Sequence, residues 1–227
     1  RDLHSFPTRR SSDLLVITPD ASMKGKRVIL DFEGIMLTGD VYLNGEHVGG
    51  TDYGYVGFEI DITNKLKYGQ QNEILVKAET QNETASRWYT GGGLFRNVNL
   101  ITTSSELYLE RHPLYITTRD NQYVTVGVEF TNRGRQREVK IGLKLYDPNG
   151  VCVYESTENF SRRGASRTQE VKMKEIKVTD AQLWDTEHPN LYRAEVTLMT
   201  KDGMPTDSYS EHFGIRTIEY GPDFGLK

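Results

Sequence analysis

The sequence predicts an all-β chain folded as two antiparallel β-sandwiches in tandem, and three observations carry this. Short apolar runs alternate with polar residues at a period of two, which is how half-buried strands read. Turn residues separate those runs, led by Asn44-Gly45, Asp147-Pro148-Asn149-Gly150 and Lys201-Asp202-Gly203. No long helical period intervenes, which favours strand-to-strand connections over βαβ units. With 227 residues the chain is long enough for two domains, each burying its own core.

The elements follow in order. Val28, Leu30 and Phe32 alternate with Ile29, Asp31 and Glu33, predicting a strand with one apolar face. Val41-Tyr42-Leu43 and Glu46-His47-Val48 flank Asn44-Gly45, a hairpin signal, because a type I′ turn needs positive φ at both central residues. Ile74, Val76 and Ala78 alternate with Leu75, Lys77 and Glu79. A second domain begins near Ser104, with Val124, Val126, Val128 and Phe130 on one apolar face and Val139, Ile141, Leu143 and Leu145 on another. The Asp147 turn leads into Val151-Cys152-Val153-Tyr154, and the Lys201 turn follows Tyr192-Ala194-Val196-Leu198. This spacing suits an immunoglobulin-like sandwich, although no Cys…Trp…Cys arrangement marks a true immunoglobulin domain.

Composition excludes several classes. The formal charge is −4 with both signs interspersed, so there is no basic stripe to neutralise phosphates, and nucleic acid is not an expected partner. The single cysteine, Cys152, rules out an internal disulfide framework and a multi-cysteine metal site. No apolar run approaches the roughly 18 residues needed to span a bilayer, so no membrane partner is expected. Of the five histidines, His47, His112, His188 and His212 fall within the strand-forming sequence without ligand spacing, and neither a metal nor another cofactor is expected.

The most informative stretch runs from Ser86-Arg87-Trp88-Tyr89 through Thr90 and Gly91-Gly92-Gly93 to Leu94-Phe95-Arg96-Asn97-Val98. It places large flat side chains on a loop with a freely bending backbone. Such rings suit the apolar face of a pyranose, while Ser86 and Arg87 can meet its hydroxyls. A phosphate loop is disfavoured: no strand precedes the glycines, no Lys-Ser/Thr follows, and the residues after Gly93 alternate as a strand.

At these residues the chain resembles family 2 glycoside hydrolases, the β-galactosidase, β-glucuronidase and β-mannosidase group, whose N-terminal sugar-binding domain carries a similar signature. Other pieces agree in order: Gly25-Lys26-Arg27-Val28, Val41-Tyr42-Leu43-Asn44-Gly45, Gly54-Tyr55 with Phe58, and Asp61-Ile62-Thr63. Leu183-Trp184, His188-Pro189-Asn190-Leu191-Tyr192 and Phe213-Gly214-Ile215-Arg216 resemble the family's immunoglobulin-like second domain. The resemblance implies an N-terminally incomplete jelly roll over residues 15–103, an immunoglobulin-like sandwich over 104–219, and a linker over 220–227 toward a catalytic barrel that is absent. Residues 1–14 lack strand alternation and the apolar core of about 7–15 residues of a secretory signal. They are read as a non-native or disordered tail, and they resemble translated sequencing-adapter read-through.

Hydrolysis with retention takes two carboxyl groups about 5–5.5 Å apart. Glu33, Asp61, Glu79 and Glu129 sit beside Lys or Thr at solvent-facing strand positions, so none is assigned a catalytic role. In the family both catalytic glutamates lie in the barrel, which implies that this chain alone is inactive. The resemblance makes it a non-catalytic fragment of a retaining β-glycosidase, a β-galactosidase in the first instance. Its partners would be a terminal β-galactoside or related glycan and the barrel of the same polypeptide. Ser86, Arg87, Trp88 and Tyr89 are the candidate substrate-binding residues. For Trp88 two readings stand: a plug between the first sandwich and the barrel, or part of the substrate pocket. Some relatives carry Asp where Ser86 stands, and Arg87 is an alternative donor to a hydroxyl or carboxylate. Arg96 is expected in a structural ion pair or backbone bond, and Trp184 as an anchor rather than a sugar platform. Asn82-Glu83-Thr84 and Asn159-Phe160-Ser161 match the N-glycosylation acceptor pattern. The competing class is a stand-alone carbohydrate-binding or adhesion module without hydrolytic activity.

Overall fold

The structure, a computed structural model, describes residues 10–80, 91–134, 137–161, 166–223 and 225–226. The chain divides into two compact units, Arg1–Thr103 and Ser104–Lys227.

In the first unit the strands are β1 (Arg10–Ile17), β2 (Arg27–Phe32), β3 (Ile35–Met36), β4 (Thr38–Leu43), β5 (Glu46–Thr51), β6 (Phe58–Asp61), β7 (Asn72–Glu79), β8 (Gly93–Leu94) and β9 (Val98–Thr103). One antiparallel sheet runs β1-β7-β4-β5 and a second runs β6-β2-β9, while β3 and β8 form a two-residue ladder. Alternation places Val41, Leu43, Ile74, Val76 and Ala78 of the first sheet against Val28, Leu30, Phe32 and Ile60 of the second, forming one core. Phe32 stacks on Phe58 with centroids 5.0 Å apart. Burial of each such side chain contributes roughly 1.5–3 kcal/mol, which is what holds the two sheets face to face.

The Asn44-Gly45 turn forms as its residues demand, with φ 51° and 84°. Its register is then secured from outside the turn: Asn44 Oδ1 accepts from the Glu73 amide at 3.1 Å, and Asn44 Nδ2 donates to Asn72 Oδ1 at 3.0 Å. Asn72 is itself buried, yet it is satisfied by the Lys67 amide and by the Lys67 and Gln70 carbonyls.

Two expectations need correction here. Residues 10–14, expected in a tail without strand structure, lie in β1, with Arg10 opposite Glu79 and Leu14 opposite Leu75. An edge strand is held by backbone hydrogen bonds to its one neighbour, so it needs no apolar alternation, and Leu14, Leu15 and Val16 are in fact exposed. Likewise β2 is not half-buried: Ile29 on its outer face is only 1% exposed. In register, Asp61 and Ile101 flank Ile29, and the Arg27 guanidinium reaches both Asp61 at 3.3 Å and Glu59 at 3.8 Å, so the neighbouring side chains roof this residue.

The second unit contains β10 (Leu107–Arg119), β11 (Tyr123–Asn132), β12 (Glu138–Tyr146), β13 (Cys152–Ser161), β14 (Thr168–Lys172), β15 (Ile176–Lys177), β16 (Tyr192–Thr200) and β17 (Pro205–Phe213). One sheet runs β10-β11-β14 with β15 also on β11, and the other runs β13-β12-β16-β17. Val124, Val126, Val128 and Phe130 meet Val139, Ile141, Leu143, Leu145, Val196 and Leu198 in a continuous core. Asp147 Oδ1 closes its turn by accepting from the Asn149 and Val151 amides at 2.9 and 2.8 Å. Trp184 is an internal anchor: its amide donates to the Ile215 carbonyl at 2.9 Å and the Arg216 guanidinium lies 4.7 Å from its ring. The segment expected as a linker carries a small hairpin, β18 (Tyr220–Gly221) on β19 (Gly225–Leu226). Gly221-Pro222-Asp223 supplies turn chemistry, and Gly225 takes φ 68°.

Candidate functional site

The candidate residues Ser86, Arg87, Trp88 and Tyr89 lie outside the described residues, as does Asn82. The chain is described again from Gly91, and the geometry there shows what this loop leads into. Gly93 adopts φ 95°, a conformation open to glycine, and enters β8, where it pairs with Met36 while Leu94 pairs with Ile35. The next residue, Phe95, is turned out and lies across Gly34. A Cβ at Gly34 would come 2.8 Å from Phe95 Cε1 and Cζ and 3.3 Å from the Gly54 carbonyl oxygen. Gly34 therefore brings the Phe95 ring and the Gly54 backbone together. Gly54 in turn is pressed against Met36, whose Sδ would be 2.7 Å from a Cβ there.

This close approach seats Phe95 beside the Gly54 backbone, whose two neighbours carry exposed rings, and these three aromatics are termed the shelf. Tyr53 and Tyr55, on either side of Gly54, are 59% and 53% exposed, and their rings meet edge-on with centroids 5.7 Å apart. Thr51 stiffens the loop: its hydroxyl donates to the Tyr53 carbonyl at 3.0 Å and accepts from the Tyr53 amide at 3.2 Å. Phe95 is 44% exposed, and the Arg96 guanidinium sits 5.3 Å from its centroid; among the described residues this ring contact is the one Arg96 makes, with neither the ion pair nor the backbone bond expected of it. Behind the shelf, the Glu33 amide donates to the Asn97 carbonyl at 3.1 Å, and Asn97 Nδ2 donates to Glu33 Oε2 at 3.2 Å. The carboxylate of Glu33 is thus braced by Asn97, just ahead of β9, and by Asn99 within it, whose Nδ2 donates to Oε1 at 3.4 Å.

Such a surface can stack on a flat apolar face, and the carboxylate beside it, Glu33, is held by Asn97 and Asn99. Asp61 is engaged by Thr63 and Arg27 at 3.0 and 3.3 Å. Its partial burial pushes its pKa up, but bonds from the Thr63 hydroxyl and amide, together with the Arg27 charge, outweigh this and hold it below the usual value. Among the described residues no group of three or more His, Cys, Asp or Glu side chains is placed to hold a metal ion. Among them too, no helix is long and apolar enough to cross a membrane. The sequence puts Gly54 and Tyr55 in a family-like segment but does not show that Gly34 brings Phe95 beside the Tyr53-Gly54-Tyr55 backbone. The Tyr-Gly-Tyr pattern was the signal that could have found them.

Comparison with known proteins places these two units. Residues 15–89 match the family described as glycosyl hydrolase 2 galactose-binding domain-like, and residues 108–216 match glycosyl hydrolases family 2. A beta-galactosidase of Bacteroides ovatus is 30% identical over 204 residues, covering 88% of this chain and 24% of that protein. A beta-glucuronidase of Formosa agariphila is 28% identical over 235 residues, covering 89% of this chain and 23% of that protein. A solved structure of a glycosyl hydrolase family 2 member from Bacteroides cellulosilyticus superposes with a TM-score of 0.86 at 27% identity, covering 96% of this chain and 30% of that one. The chain spans about a quarter of the length of the curated relatives it matches. With both of its units matched in order, the chain belongs to glycosyl hydrolase family 2, in the N-terminal region of such enzymes.

Proposed function

We propose that this chain is the non-catalytic part of a retaining β-glycosidase that removes terminal β-linked sugars, a β-galactosidase in the first instance. In this reading Ser86, Arg87, Trp88 and Tyr89, continued by the Tyr53–Tyr55–Phe95 shelf, form one wall of a substrate pocket whose catalytic carboxylates stand in a barrel of the same polypeptide. The observation that carries it is continuity: Gly93 and β8 lead the chain from the aromatic segment directly into the exposed shelf. Rings preset on a glycine-shaped loop offer a sugar apolar contact at low entropic cost, with Arg87 available to orient its hydroxyls.

Matched relatives carry the names beta-galactosidase and beta-glucuronidase, and the second name supports a second reading, with a uronate carboxylate meeting Arg87. The test uses the full-length protein containing this chain, with nitrophenyl β-galactoside and nitrophenyl β-glucuronide compared by kcat/KM. The galactoside is expected to be preferred, and Trp88→Ala and Tyr55→Ala each to lower its kcat/KM by about tenfold or more. Preference for the glucuronide would transfer the assignment to the second reading. Turnover by the isolated 227-residue chain would overturn its non-catalytic role.

A further inference from the structure

The second unit carries a groove that its fold does not require. The pairing of β10 with β11 jumps from Leu109 opposite Phe130 to Leu114 opposite Val128, so four residues, Glu110 to Pro113, bulge out opposite Glu129 alone. His112 turns this bulge at φ 49°. Beyond it Tyr115 stands opposite Gly127, and Gly127 opposite Lys172 of β14. A Cβ on Gly127 would lie 3.5 Å from Tyr115 Cβ, so the missing side chain leaves bare floor beside the tyrosine, which is 67% exposed. One step along the ladder Glu129 faces Glu170. His112, Tyr115, Gly127, Glu129 and Glu170 border an open groove of about 290 Å³, and Lys172 lies next to it in the β14 register.

The charges in this groove are arranged against stability. Two carboxylates directly opposite each other on a sheet repel, and among the described residues neither Glu129 nor Glu170 has a hydrogen-bond or ion-pair partner. Tyr115 likewise exposes a ring on a rigid strand where a polar residue would serve solubility better.

We propose that this groove is a binding site for a neutral glycan, separate from the first unit's aromatic shelf and independent of what that shelf does. Tyr115 would stack on one pyranose face over the Gly127 floor. Glu129 and Glu170 would accept hydrogen bonds from neighbouring hydroxyls, and Lys172 would donate to a ring or hydroxyl oxygen. Other ligand classes fit less well. Among the described residues a divalent cation finds no third ligand here, an extended peptide could pair only along the outer edges of β10 or β14 and not on the β11 floor, and an anionic sugar would be repelled by the two carboxylates.

The test is titration of the 227-residue chain by protein NMR or calorimetry with three neutral probes, β-1,4-galactotetraose, cellotetraose and xylotetraose, and with a tetragalacturonate as the anionic control. At least one neutral tetraose is expected to bind saturably below about 20 mM, and the tetragalacturonate to bind about tenfold more weakly or not at all. Tyr115→Ala should weaken the neutral probe at least about tenfold, and Glu129→Gln with Glu170→Gln about fivefold. Both sites are on the surface, so an unchanged thermal midpoint confirms that these variants stay folded. The proposal is overturned if none of the three neutral probes binds, if binding survives Tyr115→Ala, if the tetragalacturonate binds as well, or if Tyr55→Ala removes the binding instead.

Discussion

The Phe95 ring lies on the backbone of Gly34, so close that a single added carbon would sit 2.8 Å from the ring edge. Gly34→Ala should therefore lever Phe95 off its seat and cost about 1 kcal/mol, the low end for overpacking because the exposed ring can yield. In a Phe95→Ala background the same substitution should cost clearly less, leaving only the approach to the Gly54 carbonyl oxygen at 3.3 Å. Urea unfolding of the four members of this double-mutant cycle measures the coupling, and additive costs would show that the ring does not define the shelf.

The Asn44-Gly45 turn sets the register of β4 against β5. No atom lies within 4 Å of a Cβ built on Gly45, so a substitution there meets only the backbone conformation at φ 84°. Gly45→Ala is expected to cost about 1 kcal/mol, and Gly45→Val about 2 kcal/mol, because a β-branched side chain tolerates this region least. Shifts of the urea midpoint at unchanged slope are the readout.

Asp61 links the first unit's stability to pH. Its folded pKa is lowered, so the stabilisation it supplies is complete above the unfolded value near 3.8 and is lost as pH falls through the folded value. Asp61 is largely solvated, so screening limits the effect, and Asp61→Asn should cost about 0.5–1 kcal/mol at pH 7. The gap between wild type and variant should narrow as pH falls below 3.8 and close once pH is under the folded value, as followed by urea unfolding across that range.

The two sheets of the first unit leave an apolar opening of about 150 Å³ between β1 and β9, edges without a further strand partner among the described residues, bordered by Leu15, Ile17, Val76, Leu94 and Leu100. Unpaired backbone beside exposed Leu14, Leu15 and Leu100 favours strand-to-strand association. The isolated chain is expected to self-associate at tens of micromolar or above. Leu15→Lys with Leu100→Lys should suppress this by at least about threefold in sedimentation, since lysine on an edge opposes pairing.

Much of the architecture was legible locally. Alternation at Ile74–Ala78 and Val139–Leu145 marked strands whose apolar faces are buried as read, and Asn44-Gly45 announced its turn. The motif from Ser86 to Val98 pointed to the family, although its first five residues lie outside the described structure. Periodicity misled where a strand draws its order from a neighbour. The first residues of β1 carry no apolar pattern because β7 holds them by backbone hydrogen bonds, and Ile29 is buried because Arg27, Asp61 and Ile101 close over it.

The division follows from what each kind of information contains. Residue order by itself determined the strands, their turns and the family, because alternation and turn chemistry act over two to four residues. Only the tertiary structure decided that Tyr53, Tyr55 and Phe95 share one shelf, and that Tyr115 and Lys172 flank a bare Gly127 beside two opposed carboxylates. Those groupings join residues some 40 to 57 positions apart, and nothing short of cross-strand register and the close approach permitted by Gly34 brings them together.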